Sequence, residues 1–153
     1  MSKQYDVVVI GAGPGGYIGA IRAAQLGLST ACIDDWQTAQ GKPACTNVGC
    51  IPSKALLQSS ENFDHAGHAF AEHGIKVQGL TLDLKQMLAR KDKVVRQNNE
   101  GILYLFRKNK VAFYNGTGSF AGGTPGNWQI KVGGKAEETL TAKHVIVATG
   151  SRP

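Results

Sequence analysis

The chain is poor in cysteine, proline and aromatic residues: it holds three cysteines, five prolines and 7% Phe, Trp and Tyr. Three thiols do not make the dense, even set that staples a small secreted domain, so a reactive pair plus one buried thiol fits the count better. The first apolar run, Val7-Val8-Val9-Ile10, stops at a glycine after four residues, far short of a signal-peptide core or of the ~20 residues of a membrane span. A soluble, cytoplasmic protein that engages no membrane is therefore expected. Internal repeats, low-complexity stretches and linkers are also lacking, and 153 residues fit one ordinary domain. Hydrophobic content of 42% with 18% charged residues excludes a disordered chain.

Positive charge is present and concentrated. Of the 17 Lys and Arg in a chain of net charge +6, eight (Lys85, Arg90, Lys91, Lys93, Arg96, Arg107, Lys108 and Lys110) fall between residues 85 and 110. No aromatic platform or nucleic-acid motif accompanies them, so a solvated helix face is expected there rather than a nucleic-acid groove. The compositional excess is glycine, 20 of 153 residues without a G-X-Y period, which points to turns and close backbone approaches.

The order of elements predicts an α/β fold. Tyr5–Ile10 reads as a buried strand, Gly11–Gly16 as a tight turn, and Tyr17–Leu26 as a helix ending at Gly27, with Ile18, Ile21 and Leu26 as its apolar positions. A second strand, Leu28–Asp34, completes a βαβ unit with parallel strands. After a polar loop over 35–44, a helix is expected from Cys45 to about Ala71, with Pro52 forcing a break or fresh start near its beginning. A second helix follows over Asp83–Lys108, then a strand over Val111–Tyr114. Trp128–Val132 and Thr139–Ala142, separated by Gly133-Gly134, predict a small antiparallel meander over about 117–142, with Gly122-Gly123 and Pro125-Gly126 as earlier turns. Val145–Ala148 reads as a further buried strand, capped by Thr149-Gly150.

Gly11-Ala12-Gly13-Pro14-Gly15-Gly16 satisfies G-x-G-x-x-G, a weak pattern alone. Here it follows a predicted strand, opens a helix and is followed by Asp34 at the end of the next strand, 18 positions after Gly16 and close to the ~20 expected of a ribose-binding acid. Gly11 permits the turn, Gly13 lets the backbone approach a pyrophosphate, Pro14 suits the first helical turn, and Gly16, with Ala20 one turn on, allows close packing on the strand. Asp35 is the rival acid; strand alternation lets only one of the two face a ligand, and spacing favours Asp34. Such a site binds a dinucleotide without saying which, since flavin and nicotinamide cofactors share the ADP half.

Cys45-Thr46-Asn47-Val48-Gly49-Cys50 precedes Ile51-Pro52-Ser53-Lys54-Ala55-Leu56-Leu57. Two cysteines five residues apart reach disulfide distance only if the backbone between them is not regular helix, and Gly49 with nearby Pro52 supplies the irregularity. At a helix start the dipole lowers a thiol's pKa and favours reversible exchange. Two unpaired cysteines, or half of a metal site, are the alternatives. Zinc would need two more ligands, and the histidine cluster His65, His68 and His73 has no adjacent C-x-x-C, so no metal is expected and these histidines read as helix-surface residues. Cys32, inside the second strand, reads as a small buried hydrophobe.

The glycine turn, Asp34 and C-T-N-V-G-C-I-P-S-K-A-L-L, in that order and spacing, resemble the N-terminal flavin domain of the pyridine nucleotide-disulfide oxidoreductases. The resemblance runs from Tyr5 to Pro153 and includes Asn115-Gly116-Thr117-Gly118 and the closing Ala148-Thr149-Gly150-Ser151-Arg152-Pro153. Ile51-Pro52-Ser53-Lys54 is similar to the branch that oxidises protein-bound dihydrolipoyl groups, more than to the V-P-K-K of glutathione reductases or the V-P-S-K of mercuric reductases. The resemblance implies a Rossmann-like FAD domain with a β-meander, and a Cys45–Cys50 redox disulfide. In it Cys45 exchanges with the dithiol substrate and Cys50 lies against the flavin. It implies Lys54 beside flavin N5, Asp34 on the ribose, and Gly118, Thr149, Gly150 and Ser151 as further FAD contacts. It also implies NAD as acceptor, a homodimeric parent enzyme, and as partner the lipoyl-bearing acyltransferase of 2-oxo acid dehydrogenase complexes. Another flavin disulfide reductase, or a non-catalytic module binding FAD or ADP, are the competing readings.

Two departures bear on this. The family pattern has L-G-G-T before its first cysteine, whereas here the run is Gly41-Lys42-Pro43-Ala44-Cys45 and the tetrad is absent. The 153 residues also contain no second G-x-G-x-x-G, no later G-D motif and no H-x-x-x-x-E pair, so nicotinamide and dimerisation domains are not among them. His65, His68, His73 and His144 do not replace that acid/base. The segment alone is expected not to turn over.

Overall fold

The computed structural model describes residues 3–35, 46, 49–134 and 137–151. Strand β1 (Lys3–Ile10), helix α1 (Pro14–Gln25) and strand β2 (Thr30–Asp34) form the expected βαβ unit. Helix α2 (Cys50–His68) ends in a single 3-10 turn, Phe70–His73. Helix α3 (Leu84–Lys108) leads to β3 (Ala112–Asn115), β4 (Thr117–Thr124), β5 (Asn127–Gly133) and β6 (Glu138–Val147). All six strands belong to one sheet in the order β3-β2-β1-β6-β5-β4. Its β3-β2-β1-β6 portion is parallel, and β5 and β4 continue it antiparallel.

Two expectations about the later strands are corrected. Thr139–Ala142 and Val145–Ala148 are not separate: β6 is one strand whose first residues pair with β5 while its length pairs with β1, so Leu140, Thr141 and Ala142 are bonded on both sides. The meander is therefore an extension of the parallel sheet. Gly122-Gly123 is not a turn either. Both residues lie inside β4, opposite Gln129 and Trp128, where the register shifts between Phe120 and Gly122, and their φ values of 149° and 109° are ones that glycine adopts without a Cβ penalty.

Alternation along β1 sorts the core into two faces. Val7 and Val9 face the helices, packing with Ala20, Ala23, Cys32, Ile102 and Phe106. Val8 and Ile10 face the other way, against Ala31, Ile33, Ile130, Val132, Leu140 and Ala142. The antiparallel strands thus fold back over the second face of the parallel ones. Gly118 marks the crossing, since a Cβ there would lie 2.8 Å from Ile10 Cγ2.

Helix boundaries follow local chemistry. α1 starts at Pro14, three residues earlier than expected, because a proline in the first turn forgoes only an N–H that has no helical partner. Its buried face is the small-residue seam Gly16, Ala20 and Ala23, whereas Ile18 and Leu26 are exposed. α2 begins at Cys50, so Pro52 falls in its first turn and interrupts nothing; the expected helical stretch before it reaches into residues outside those described. Asp83 caps α3 by accepting from Gln86 N at 2.9 Å. At the other end, Val111 N donates to Phe106 O at 2.9 Å and Lys110 takes φ 58°, a Schellman ending with lysine where glycine is favoured.

Candidate functional site

The carboxyl ends of β1, β2 and β6 converge on the glycine turn. Gly11 N donates to Ile33 O at 2.8 Å and Ala148 N to Ile10 O at 2.8 Å, which fixes the turn between the two neighbouring strands. Closeness here demands glycine. At Gly11, φ is 101° and a Cβ would lie 2.2 Å from Ala148 O; at Gly16 it would lie 1.7 Å from Gly11 O. Gly13 and Gly15 differ, having nothing within 4 Å of a built Cβ. Thr149, Gly150 and Ser151 follow β6 next to this turn and are exposed.

Gly13 caps α1 with no side-chain hydrogen bond, and the first turn of α1 carries no acidic residue. The helix start therefore presents its partial positive charge with no carboxylate of its own to neutralise it. Gly16 N and Tyr17 N are taken by Gly13 O, both at 2.9 Å. An anion would be received by the remaining turn N–H groups, in the open space at Gly13 and Gly15. These residues fit the pyrophosphate of a dinucleotide.

Asp34 ends β2, half-buried, with Oδ2 accepting a short hydrogen bond from Ala12 N and its own carbonyl accepting from Gly116 N at 2.9 Å. The side chain faces the turn and braces it. Gly118 lies over Ile10 and Ile33, so packing by itself demands glycine there.

The cysteine motif occupies a second region. Cys50 is the first residue of α2, exposed and disulfide-bonded; Cys45, its expected partner, lies outside the described residues. Cys32 is a free thiol, buried in β2, and burial together with the charge of Asp34 pushes it up to about 12, so it is inert at neutral pH. Lys54 is exposed one turn into α2, beside a cleft of about 560 Å³ lined by Ile51, Leu57, Gln58, Glu61, Arg90 and Val94. α2 packs mainly on α3. Among α2 residues only Pro52 and Ala55 are buried.

Sequence reasoning passed over two residues. Thr46 is 3% exposed and its Oγ1 has no hydrogen-bond partner among the described residues, a buried polar atom within the cysteine motif that a bound polar group would satisfy. Its position directly after Cys45 was the only available signal. Arg90 bonds across to α2, and nothing in the basic stretch around it distinguishes it. His65, His68 and His73 are exposed, His68 Nδ1 lying 3.2 Å from Asp64 Oδ1. Among the described residues no helix is long and apolar enough to cross a membrane.

Comparison with known proteins adds the family. The family model described as pyridine nucleotide-disulphide oxidoreductase matches residues 5–153. The chain is 51% identical to a dihydrolipoyl dehydrogenase of Cupriavidus necator over 99% of its own length and 33% of the relative's. It is 49% identical to dihydrolipoyl dehydrogenase 1, mitochondrial, of Arabidopsis thaliana and to a leghemoglobin reductase of Vigna unguiculata, covering 98% of this chain and 29% and 28% of theirs. The crystal structure of LpdA from Mycobacterium tuberculosis superposes with a TM-score of 0.82 over 99% of this chain and 32% of that one, at 24% identity, which shows a shared fold. The chain thus spans about a third of the length of these relatives. With a Rossmann-like α/β sheet, an open glycine turn and the cysteine motif at a helix start, it belongs to the pyridine nucleotide-disulphide oxidoreductase family.

Proposed function

We propose that residues 1–153 form the FAD-binding portion of a dihydrolipoyl dehydrogenase, an enzyme that oxidises protein-bound dihydrolipoyl groups with NAD+ as acceptor. The observation that carries the reading is the disulfide-bonded Cys50 at the start of α2, in a chain whose glycine turn is open to a pyrophosphate.

The turn formed by Gly11, Gly13, Pro14 and Gly16 holds the pyrophosphate on the α1 N-terminus. Asp34 holds the adenosine ribose while bracing Ala12, and Gly118, Thr149, Gly150 and Ser151 line the remaining FAD path. When bound, FAD supplies a two-electron acceptor for the thiols. Cys45 and Cys50 form the redox disulfide. A substrate thiolate attacks Cys45 Sγ, the Cys45–Cys50 bond breaks and Cys50 leaves as thiolate, stabilised at the helix N-terminus. The second substrate thiol gives its proton to the parent enzyme's acid/base group and, as thiolate, attacks the substrate sulfur of the mixed disulfide, releasing Cys45 as thiolate. Substrate leaves as a cyclic disulfide, and the two electrons rest on the two enzyme thiols. Lys54 places a cation at the reducible end of the ring.

The nicotinamide site, the acid/base histidine and the homodimer contacts belong to parts of the parent enzyme outside these residues, so the segment alone does not turn over. A lipoyl-bearing acyltransferase is the partner, and the cytoplasm the site of action. Reconstitution with FAD followed by titration with a dithiol tests the reading: a yellow protein is expected whose flavin spectrum changes as the disulfide is reduced. A protein that stays colourless, or whose flavin ignores the state of the cysteines, would refute it.

A further inference from the structure

We propose that Arg90 is a positioning residue for the redox helix, clamping α2 to the sheet so that Cys50 and Lys54 are presented in a fixed frame. The assignment rests on the redox reading of Cys50 given above. α3 is rooted at its C-terminal end, where Ile102 and Phe106 are 4% and 1% exposed among Val7, Val9 and Cys32. Three to four turns earlier, the same helix carries Arg90. Its Nη1 donates to Ala55 O at 2.9 Å and to Ser59 Oγ at 3.2 Å, and its Nη2 to Gln58 Oε1 at 2.6 Å. One planar guanidinium thereby grips two successive turns of α2, a fork that a lysine cannot reproduce.

This grip matters because little else holds α2. Pro52 and Ala55 are its only buried residues, neither large, while Leu57 and Phe63 are exposed. Apolar burial of that size fixes a helix weakly, so the charge-assisted bonds set its orientation. Ala55 follows Lys54 directly and lies five residues after Cys50, so the clamped turn is the one that aims both groups. A loosened α2 would fray from its N-terminus, removing the dipole that favours the Cys50 thiolate.

The test uses the 153-residue chain after reduction, with Arg90→Ala and Arg90→Lys. Two quantities are read: the rate at which iodoacetamide alkylates Cys50 at pH 7, resolved by peptide mass, and amide exchange in α2 compared with β1. Arg90→Ala should slow alkylation about threefold or more and speed exchange in the first turns of α2, leaving β1 unchanged, with Arg90→Lys recovering part of both. An Ile102→Val variant, which weakens the core of α3 without touching the clamp, should leave the Cys50 rate as it was. The assignment is overturned if Arg90→Ala matches the unaltered chain in both readouts, or if β1 and α2 loosen together and lysine rescues neither. If Cys50 of the unaltered chain reacts no faster than the same cysteine in an unfolded peptide, the redox reading itself fails, and that is seen before any variant is made.

Discussion

The region around the glycine turn and the arm made by α2 with the first half of α3 are built on opposite plans. In the first, Val8, Val9, Ala12, Ala20, Ala31, Cys32 and Ile33 have no exposure at all, and backbone hydrogen bonds tie β1, β2 and β6 into one frame. In the second, together with the segment joining its helices, Leu57, Phe63, Ile75, Val77, Leu80, Leu82, Leu84 and Leu88 are all between 39% and 57% exposed. The frame around the glycine turn is thus fully packed and bonded within itself. The helix that presents the thiol depends on a few polar contacts and retains apolar surface. A phosphate site needs rigid N–H groups at fixed spacing, which a sheet core supplies.

The sharpest way to break the contrast is within the turn. Gly16→Ala places a methyl against Gly11 O and should cost about 3 kcal/mol or more, read as loss of the cooperative unfolding transition. Gly13→Ala meets open space at φ −64°, so the fold should survive while affinity for FAD or ADP falls, measured by calorimetry. Equal damage from both would show that the turn is not open at Gly13. Next in size, Phe106→Ala should cost about 3–5 kcal/mol by denaturant unfolding, against ~0.5 kcal/mol or less for exposed Leu82→Ala in the arm.

A smaller effect concerns acid. Asp6 accepts from Lys143 Nζ at 2.7 Å and from the Ser29 hydroxyl and amide at 2.6 and 2.9 Å, joining β1 to β6 and to the entry of β2. Lys143 first, then Ser29, holds its carboxyl well below the usual carboxylate range. A depressed folded pKa contributes stability above the unfolded value of about 4 that is lost as pH falls through and below it. Thermal unfolding followed from pH 7 to 3 should therefore fall less steeply in Asp6→Asn than in the unaltered chain. Smallest of all, Lys110→Gly should stabilise by about 0.5–1 kcal/mol in denaturant unfolding, because glycine adopts φ 58° without a Cβ penalty.

Much of the first region was legible in the sequence because its signals are local. An apolar run before G-x-G-x-x-G and an acid at the next strand end define a turn and its partners within thirty-odd residues. Asp83 and Lys108 likewise bracket α3 by cap and composition. The continuity of β6 was not legible. Lys143-His144 divides its apolar residues, yet Lys143 reaches Asp6 and both residues are exposed, so the strand runs through. Gly122-Gly123 carries a turn composition but is held in the ladder by Gln129 and Trp128.

The glycine turn, the βαβ unit and the cysteine motif were determined by the sequence alone, since each depends on residues near one another in the chain and on backbone conformations only some residues permit. Tertiary structure alone decided that the meander folds back over Val8 and Ile10, that Asp34 braces Ala12, and that Arg90 clamps α2. The physical reason is common to the last two: one partner in each is a backbone group, Ala12 N or Ala55 O, which every residue type carries, so only the fold can say which of them a distant side chain will meet.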